Sequence, residues 1–179
     1  MALPISGDGA LFVLPSQRVQ AKIVPWRRRY DPEHWRSLPP HITTVGHPFV
    51  RQEDWPAMQP AFAACLRAFQ PFWIELAELG VFESPRAVLW LRPDDGGMLA
   101  HIHAALAERF PTHIQAGPLG FVPHLTVGLF DSLAALTQAK TAITASWQPL
   151  RFRVQSLCYA TLHDDGFWRT CDGLPLGER

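Results

Sequence analysis

The sequence predicts an internally duplicated α+β protein, and three observations carry that expectation. Strand-like runs alternate with amphipathic helical stripes in the order β-α-β-α-β, then β-α-β-α-β-β. A His-x-Thr pair preceded by proline occurs twice, as Pro40-His41-Ile42-Thr43 and Pro123-His124-Leu125-Thr126. Each copy lies in a strand-like run after the first helix of its half.

The elements follow in order. Ala10–Leu14 reads as a first strand, ended by Pro15-Ser16. Ser16 is a candidate cap for a helix to about Arg29, with Val19, Ile23 and Trp26 on one side, and Pro25 is expected to kink or shorten it. His41–Phe49 reads as the second strand, closed by Pro48. After Trp55-Pro56, the positions Met58, Phe62, Cys65, Leu66 and Phe69 form a helical stripe. Phe72–Phe82 and Ala87–Leu91 read as strands joined by Glu83-Ser84-Pro85-Arg86. A helix from about Gly97 to Phe110 buries Leu99, Ile102, Leu106 and Phe110. Pro123–Phe130 is the strand of the second motif, and Asp131 or Ser132 caps a helix to about Ala145. Strands near Arg151–Leu162 and at Phe167–Cys171 complete the chain, with Asp164-Asp165-Gly166 as a hairpin turn.

A chain of 179 residues, 47% hydrophobic, is one domain or two small lobes sharing an interface. No run of about 18 apolar residues suggests a membrane span, and the opening MALPISGDGALFVLP lacks the basic start and unbroken apolar run of a signal peptide. Cys65, Cys158 and Cys171 are odd in number and far apart, which argues against a disulfide framework or zinc site and for a reducing cytoplasm. Sixteen basic and sixteen acidic residues balance. That neutrality suits a small nucleotide or an RNA end better than a long nucleic acid held by its backbone. Gly-x-Ser-x-Gly, Walker and His-Glu-x-x-His signatures are missing, and Gly7-Asp8-Gly9 lacks the third glycine of a dinucleotide loop.

The repeated motif carries the chemistry. With nine threonines in 179 residues, one His-x-Thr is a matter of roughly one chance in twenty, but two copies in matched surroundings are not. Side chains two apart on a strand share a face at a spacing of about 6.6 Å. His41 with Thr43, and His124 with Thr126, would therefore each present an imidazole and a hydroxyl. Two such pairs around one small anion supply the parts for acid–base phosphoryl chemistry without a metal. One histidine takes a proton, the other gives one, and the hydroxyls hold phosphate oxygens.

PHITTVGHPF and FVPHLTVGLF resemble the paired H-x-T-x signatures of the 2H phosphoesterase superfamily, which includes the bacterial 2′-5′ RNA ligase (LigT-like) proteins and cyclic phosphodiesterases. The 83-residue spacing between the histidines, the helix ending in RRRYDP and the late DDGFW hairpin extend the resemblance over most of the chain. It implies a single domain over residues 1–179 made of two pseudo-symmetric lobes. Each lobe would be an antiparallel sheet with helices outside, around a central cleft. It also implies hydrolysis of 2′,3′-cyclic phosphates of nucleotides or RNA ends, with His41 and His124 catalytic, Thr43 and Thr126 holding phosphate, no cofactor, and reversible 2′-5′ ligation as a second activity. Two positions depart from the pattern. Thr44 stands where a larger aliphatic is usual, and Gly128-Leu129-Phe130 stands where some members carry a basic residue, which bears on ligation more than on ring opening.

Other residues are weighed against plainer roles. His101 and His103 are two apart on a helix and point to different sides, so a shared metal is disfavoured. His47, six residues beyond His41 on an extended strand, lies about 20 Å away, too far to share its phosphate. His34, His113 and His163 fall in loops and read as solvated. Arg27-Arg28-Arg29 reads as a solvated charged face. Phe49, Phe121 and Phe130 are candidate base-stacking residues, equally suited to the core, and Arg86 is a candidate substrate contact. The expected partner is an RNA terminus or small cyclic nucleotide, with no membrane and no obligate protein partner; the chain is expected to be a cytoplasmic monomer. The rival readings are a non-catalytic module that binds an RNA end or nucleotide in the same cleft, and a metal-dependent hydrolase using the scattered histidines.

Overall fold

A computed structural model describes residues 5–47, 49–114 and 120–177. The elements are β1 (Gly9–Val13), α1 (Gln17–Tyr30), β2 (Ile42–Val45), α2 (Trp55–Leu66), β3 (Phe72–Phe82), β4 (Ala87–Asp94), α3 (Met98–Arg109), β5 (Leu125–Phe130), α4 (Leu133–Thr144), β6 (Leu150–Val154), β7 (Ser156–Leu162) and β8 (Trp168–Pro175). The strands form two antiparallel four-stranded sheets, ordered β2-β1-β7-β8 and β5-β4-β3-β6. The α+β class expected from the sequence is therefore observed.

Sheet membership does not follow the chain halves. The stretch expected as strands near Arg151–Leu162 divides at Gln155: β6 joins β3, whereas β7 joins β1. This division follows from alternation, since Phe152 and Val154 are buried under one sheet and Leu157, Tyr159 and Thr161 under the other.

Both motif strands are shorter than expected, at four residues for β2 and six for β5, so His41 and His124 each stand one residue before their strand. Each imidazole takes the carbonyl of residue i−2 as partner, and the X-Pro-His run ahead of each motif has no proline N–H to give a ladder. β2 stops at Val45, ahead of Gly46. The expectation that Pro48 closes it lies outside the described residues. Pro25 does not shorten α1, which continues to Tyr30. Pro25 and Ala21, whose carbonyl the missing N–H would have served, both lie on the exposed side. Ser16 stands at the cap position but makes no capping bond, whereas Ser132 Oγ accepts from Ala135 N at 3.2 Å and starts α4. Gly166, at φ 77°, makes the β7–β8 turn where the sequence placed it.

One apolar core joins residues of both sheets and of the helices, among them Leu11, Ile23, Phe62, Leu89, Ile102 and Tyr159. A smaller cluster of Ala10, Phe12, Leu38 and Ala160, with Leu14 and Trp168 against it, lies on the opposite face of the first sheet. Helix α1 follows β1 yet packs on β5 of the second sheet. Gly128 permits this approach, since a Cβ there would stand 2.6 Å from that of Tyr30. Among the described residues no helix is long and apolar enough to cross a membrane.

Candidate active site

The two motifs meet because β2 and β5, each at the edge of its sheet, lie in contact. Ile42 and Leu125 point into the core at 0% exposure, leaving His41, Thr43, His124 and Thr126 on the partly open side. Alternation on a short strand thus does what the sequence required of it.

The two imidazoles are held alike. His41 Nδ1 lies 2.9 Å from the carbonyl of Pro39, and His124 Nδ1 lies 2.8 Å from that of Val122. A carbonyl only accepts, so each Nδ1 carries the proton and Nε2 is left as the atom that can take or give one. Removal from water pushes the His41 pKa down from 6.5 to about 4, against the opposing hydrogen bond to Pro39, and the charges of Arg27 and His124 push it further the same way. Burial also lowers His124, with its bond to Val122 acting in the other direction. Both rings are poised as neutral acceptors, and an anion placed between them would raise their proton affinity.

Aromatic residues surround each motif, and the sequence alone did not mark them. Phe12 is the register partner of Thr43 and sits edge-on to His41 at 4.6 Å between centroids. Trp90 is the register partner of Thr126. Phe82 stacks on Trp90 at 5.0 Å and meets His124 edge-on at 5.0 Å. Trp90 in turn lies over Gly80, where a Cβ would stand 2.3 Å from the indole. These neighbours become visible only once it is known which strands adjoin β2 and β5.

Other expected residues fall elsewhere. Phe49 is buried among Trp55, Phe62 and Tyr159, and Phe130 is buried against Tyr30, so both serve the core. Phe121 stacks on His103 at 4.1 Å, and His103 Nδ1 reaches the Thr44 carbonyl at 2.8 Å, tying α3 to β2. His101 instead meets Phe69 edge-on. Arg86 is half-exposed, 4.0 Å from Asp131.

His47 lies beyond the end of β2 and borders the same cavity of about 300 Å³ as His41 and Thr43. Arg27 is buried rather than solvated, because it faces Leu38 and Asp31 inside the turn that follows α1. His34 is exposed in a turn as expected, with its Nδ1 2.8 Å from Asp31, and half-buried His163 lies 3.3 Å from the Thr161 hydroxyl. Thr44, in the place of the usual aliphatic, is 1% exposed, and its hydroxyl has no partner among the described residues. No group of three or more His, Cys, Asp or Glu among the described residues is placed to hold a metal ion.

Known proteins resemble this chain in sequence and in fold. The family profile described as the 2′-5′ RNA ligase superfamily matches residues 15–166. A proposed phosphoesterase of Bacillus mycoides (strain KBAB4) is 30% identical over 119 residues, covering 66% of this chain and 67% of its own. A protein of Thermus thermophilus superposes with a TM-score of 0.67 at 18% identity, over 96% of this chain and 99% of its own. Escherichia coli LigT in complex with 3′-AMP superposes at 0.66 and 16% identity, over 97% and 100%. At such identities the two superpositions establish the fold.

Proposed function

Since the chain belongs to the 2′-5′ RNA ligase superfamily, we propose that it is a metal-independent phosphoesterase that opens 2′,3′-cyclic phosphates of nucleotides or RNA ends. The observation that carries this reading is the matched pair of imidazoles, each fixed through Nδ1 to a carbonyl two residues back, on edge strands that adjoin. A non-catalytic binder has no use for two such proton carriers. The fold neighbour LigT has been crystallised with 3′-AMP, a product-like nucleotide for such a reaction.

One histidine takes a proton from the attacking water through Nε2 as the new P–O bond forms. The other enters the step as the imidazolium, favoured by the bound phosphate anion, and gives its Nε2 proton to the ribose oxygen as the old P–O bond breaks. Thr43 and Thr126 donate to the non-bridging oxygens, where charge grows in the transition state. In the ligation reading the 5′-hydroxyl of a second RNA replaces water as the nucleophile with the same two histidine roles, and the two histidines exchange roles only when the resulting 2′-5′ linkage is cleaved back to the cyclic phosphate. Leu129 offers no cation there to hold a second RNA end, so hydrolysis is the main activity proposed.

A product assay in EDTA tests this, using cyclic mononucleotides and cyclic-phosphate-ended RNA with and without a 5′-hydroxyl RNA partner. Ring opening is expected at the same rate with and without the chelator. Loss of activity in EDTA that zinc or manganese restores would favour the metal-dependent reading, and tight binding without turnover the binding module.

The pH dependence has a defined sign. The base must be unprotonated, so kcat/KM falls as pH drops through its pKa; the acid must be protonated, so kcat/KM falls as pH rises through its own. Both rings are shifted below 6.5, so the kcat/KM maximum is expected on the acid side of that value. A maximum above neutrality would count against the pair.

A further inference from the structure

We propose that Arg27 is a positioning residue for His41, clamping from inside the protein the turn that delivers that imidazole to the cleft. This rests on the proposed role of His41 but is measured independently of it. Arg27 is 4% exposed, at the end of α1. Its Nη1 donates to the Leu38 carbonyl at 2.7 Å and its Nη2 to Asp31 Oδ2 at 3.1 Å. One rigid fork therefore holds the start of the turn at Asp31 and its far end at Leu38. The next carbonyl, that of Pro39, takes the Nδ1 proton of His41. The path from guanidinium to imidazole is thus a fixed carbonyl, a two-proline step and one hydrogen bond.

Two further contacts brace the same turn. Asp31 Oδ1 accepts from His34 Nδ1 at 2.8 Å, and the Ser37 carbonyl accepts from Trp168 N at 2.8 Å, which ties the turn to β8. Arg27, His34 and Leu38 border the same cavity as His41 and Thr43.

Folding energetics alone do not account for the pair. A buried ion pair adds little net stability compared with apolar packing, and Arg27 Nε has no acceptor among the described residues. What the pair supplies is position and field. The groups that face His41 are Arg27 from α1, with Asp31 and His34 behind it, His47 beyond β2, and His124 from the second motif. Of these Arg27 carries a permanent positive charge, and Asp31 offsets part of it.

Arg27 lowers the proton affinity of His41, and removing the Asp31 carboxylate leaves that charge less offset, so the two substitutions are expected to move the ring in opposite directions, which a merely structural role does not produce. The test is the NMR titration of the His41 ring, together with kcat for a 2′,3′-cyclic mononucleotide, in wild type, Arg27→Met, Arg27→Lys and Asp31→Asn. Arg27→Met is expected to move the His41 titration up, and Asp31→Asn to move it down. Arg27→Lys keeps the charge and loses the fork, so its titration stays near wild type while kcat falls roughly tenfold to a hundredfold. If Arg27→Met does not fold, Asp31→Asn and Arg27→Lys decide. Shifts of the same sign in the charge-removing variants, or an Arg27→Lys variant with wild-type kcat, overturn the proposal. A wild type that folds and titrates as described but turns over no cyclic phosphate overturns the proposed function and leaves the clamp standing on the titration alone.

Discussion

His41→Ala and His124→Ala are each expected to lower turnover of a 2′,3′-cyclic nucleotide by about 10²–10⁴-fold while leaving the fold intact. Neither ring is part of the apolar core; each stands ahead of its strand, and its bond to a carbonyl two residues back holds the ring rather than the sheet. The double variant is expected to lose little beyond the worse single one, since residues that act as a unit are strongly non-additive. A phosphodiester with an aryl leaving group then separates the roles. That leaving group departs without a proton, so only the variant lacking the general acid regains activity. Circular dichroism and kcat check the prediction, and it fails if both single variants stay active on the natural leaving group.

Gly80→Ala is the second large effect expected. The new methyl would stand 2.3 Å from the Trp90 ring, and no real Cβ makes such an approach. Trp90 is 7% exposed, stacked by Phe82 and set opposite Thr126. The indole can therefore yield only by pushing on Phe82 or on the second motif. Overpacking of this kind costs about 1–3 kcal/mol, so thermal melting should show a clear loss. Displacing the motif should also lower kcat/KM, since small misplacements of reacting groups cost large factors in rate. A variant as stable and active as the wild type would show that Trp90 has free room and that the collar around His124 is loose. Gly80 itself has an ordinary backbone conformation, so the requirement is one of space.

The sequence made the fold class and the motif geometry legible because both rest on local periodicity. Helices α2 and α3 follow apolar stripes, α4 follows its cap at Ser132, and Ile42 and Leu125 point inward because each lies between an imidazole and a hydroxyl that point the other way. Less legible was whatever depends on strand order. Phe12 and Trp90 look like ordinary strand aromatics until β1 is known to adjoin β2, and β4 to adjoin β5. In the Arg27-Arg28-Arg29 run, Arg28 and Arg29 are exposed as expected and Arg27 is not: helix periodicity puts Arg27 on the side of Ile23, but its acceptors lie in a turn that no pattern announces. For His47, an extended strand was drawn through a short one: β2 ends at Val45, and His47 borders the cavity of His41. Phe49 and Phe130 were ambiguous between stacking and packing, and burial resolves them towards packing.

The first sheet has a consequence in time. Its second strand in space, β1, is buried along its whole length, yet one of its two neighbours is β7, with Leu11 opposite Tyr159. A ribosome adding about 5–20 residues per second leaves that side of β1 without its partner for on the order of ten seconds. Both motif histidines have emerged by then, but the cavity beside His41 still lacks Trp168, which arrives with β8. The nascent chain thus carries its chemical groups before it has the enclosure that orders them, and an unpaired apolar strand edge in the interval.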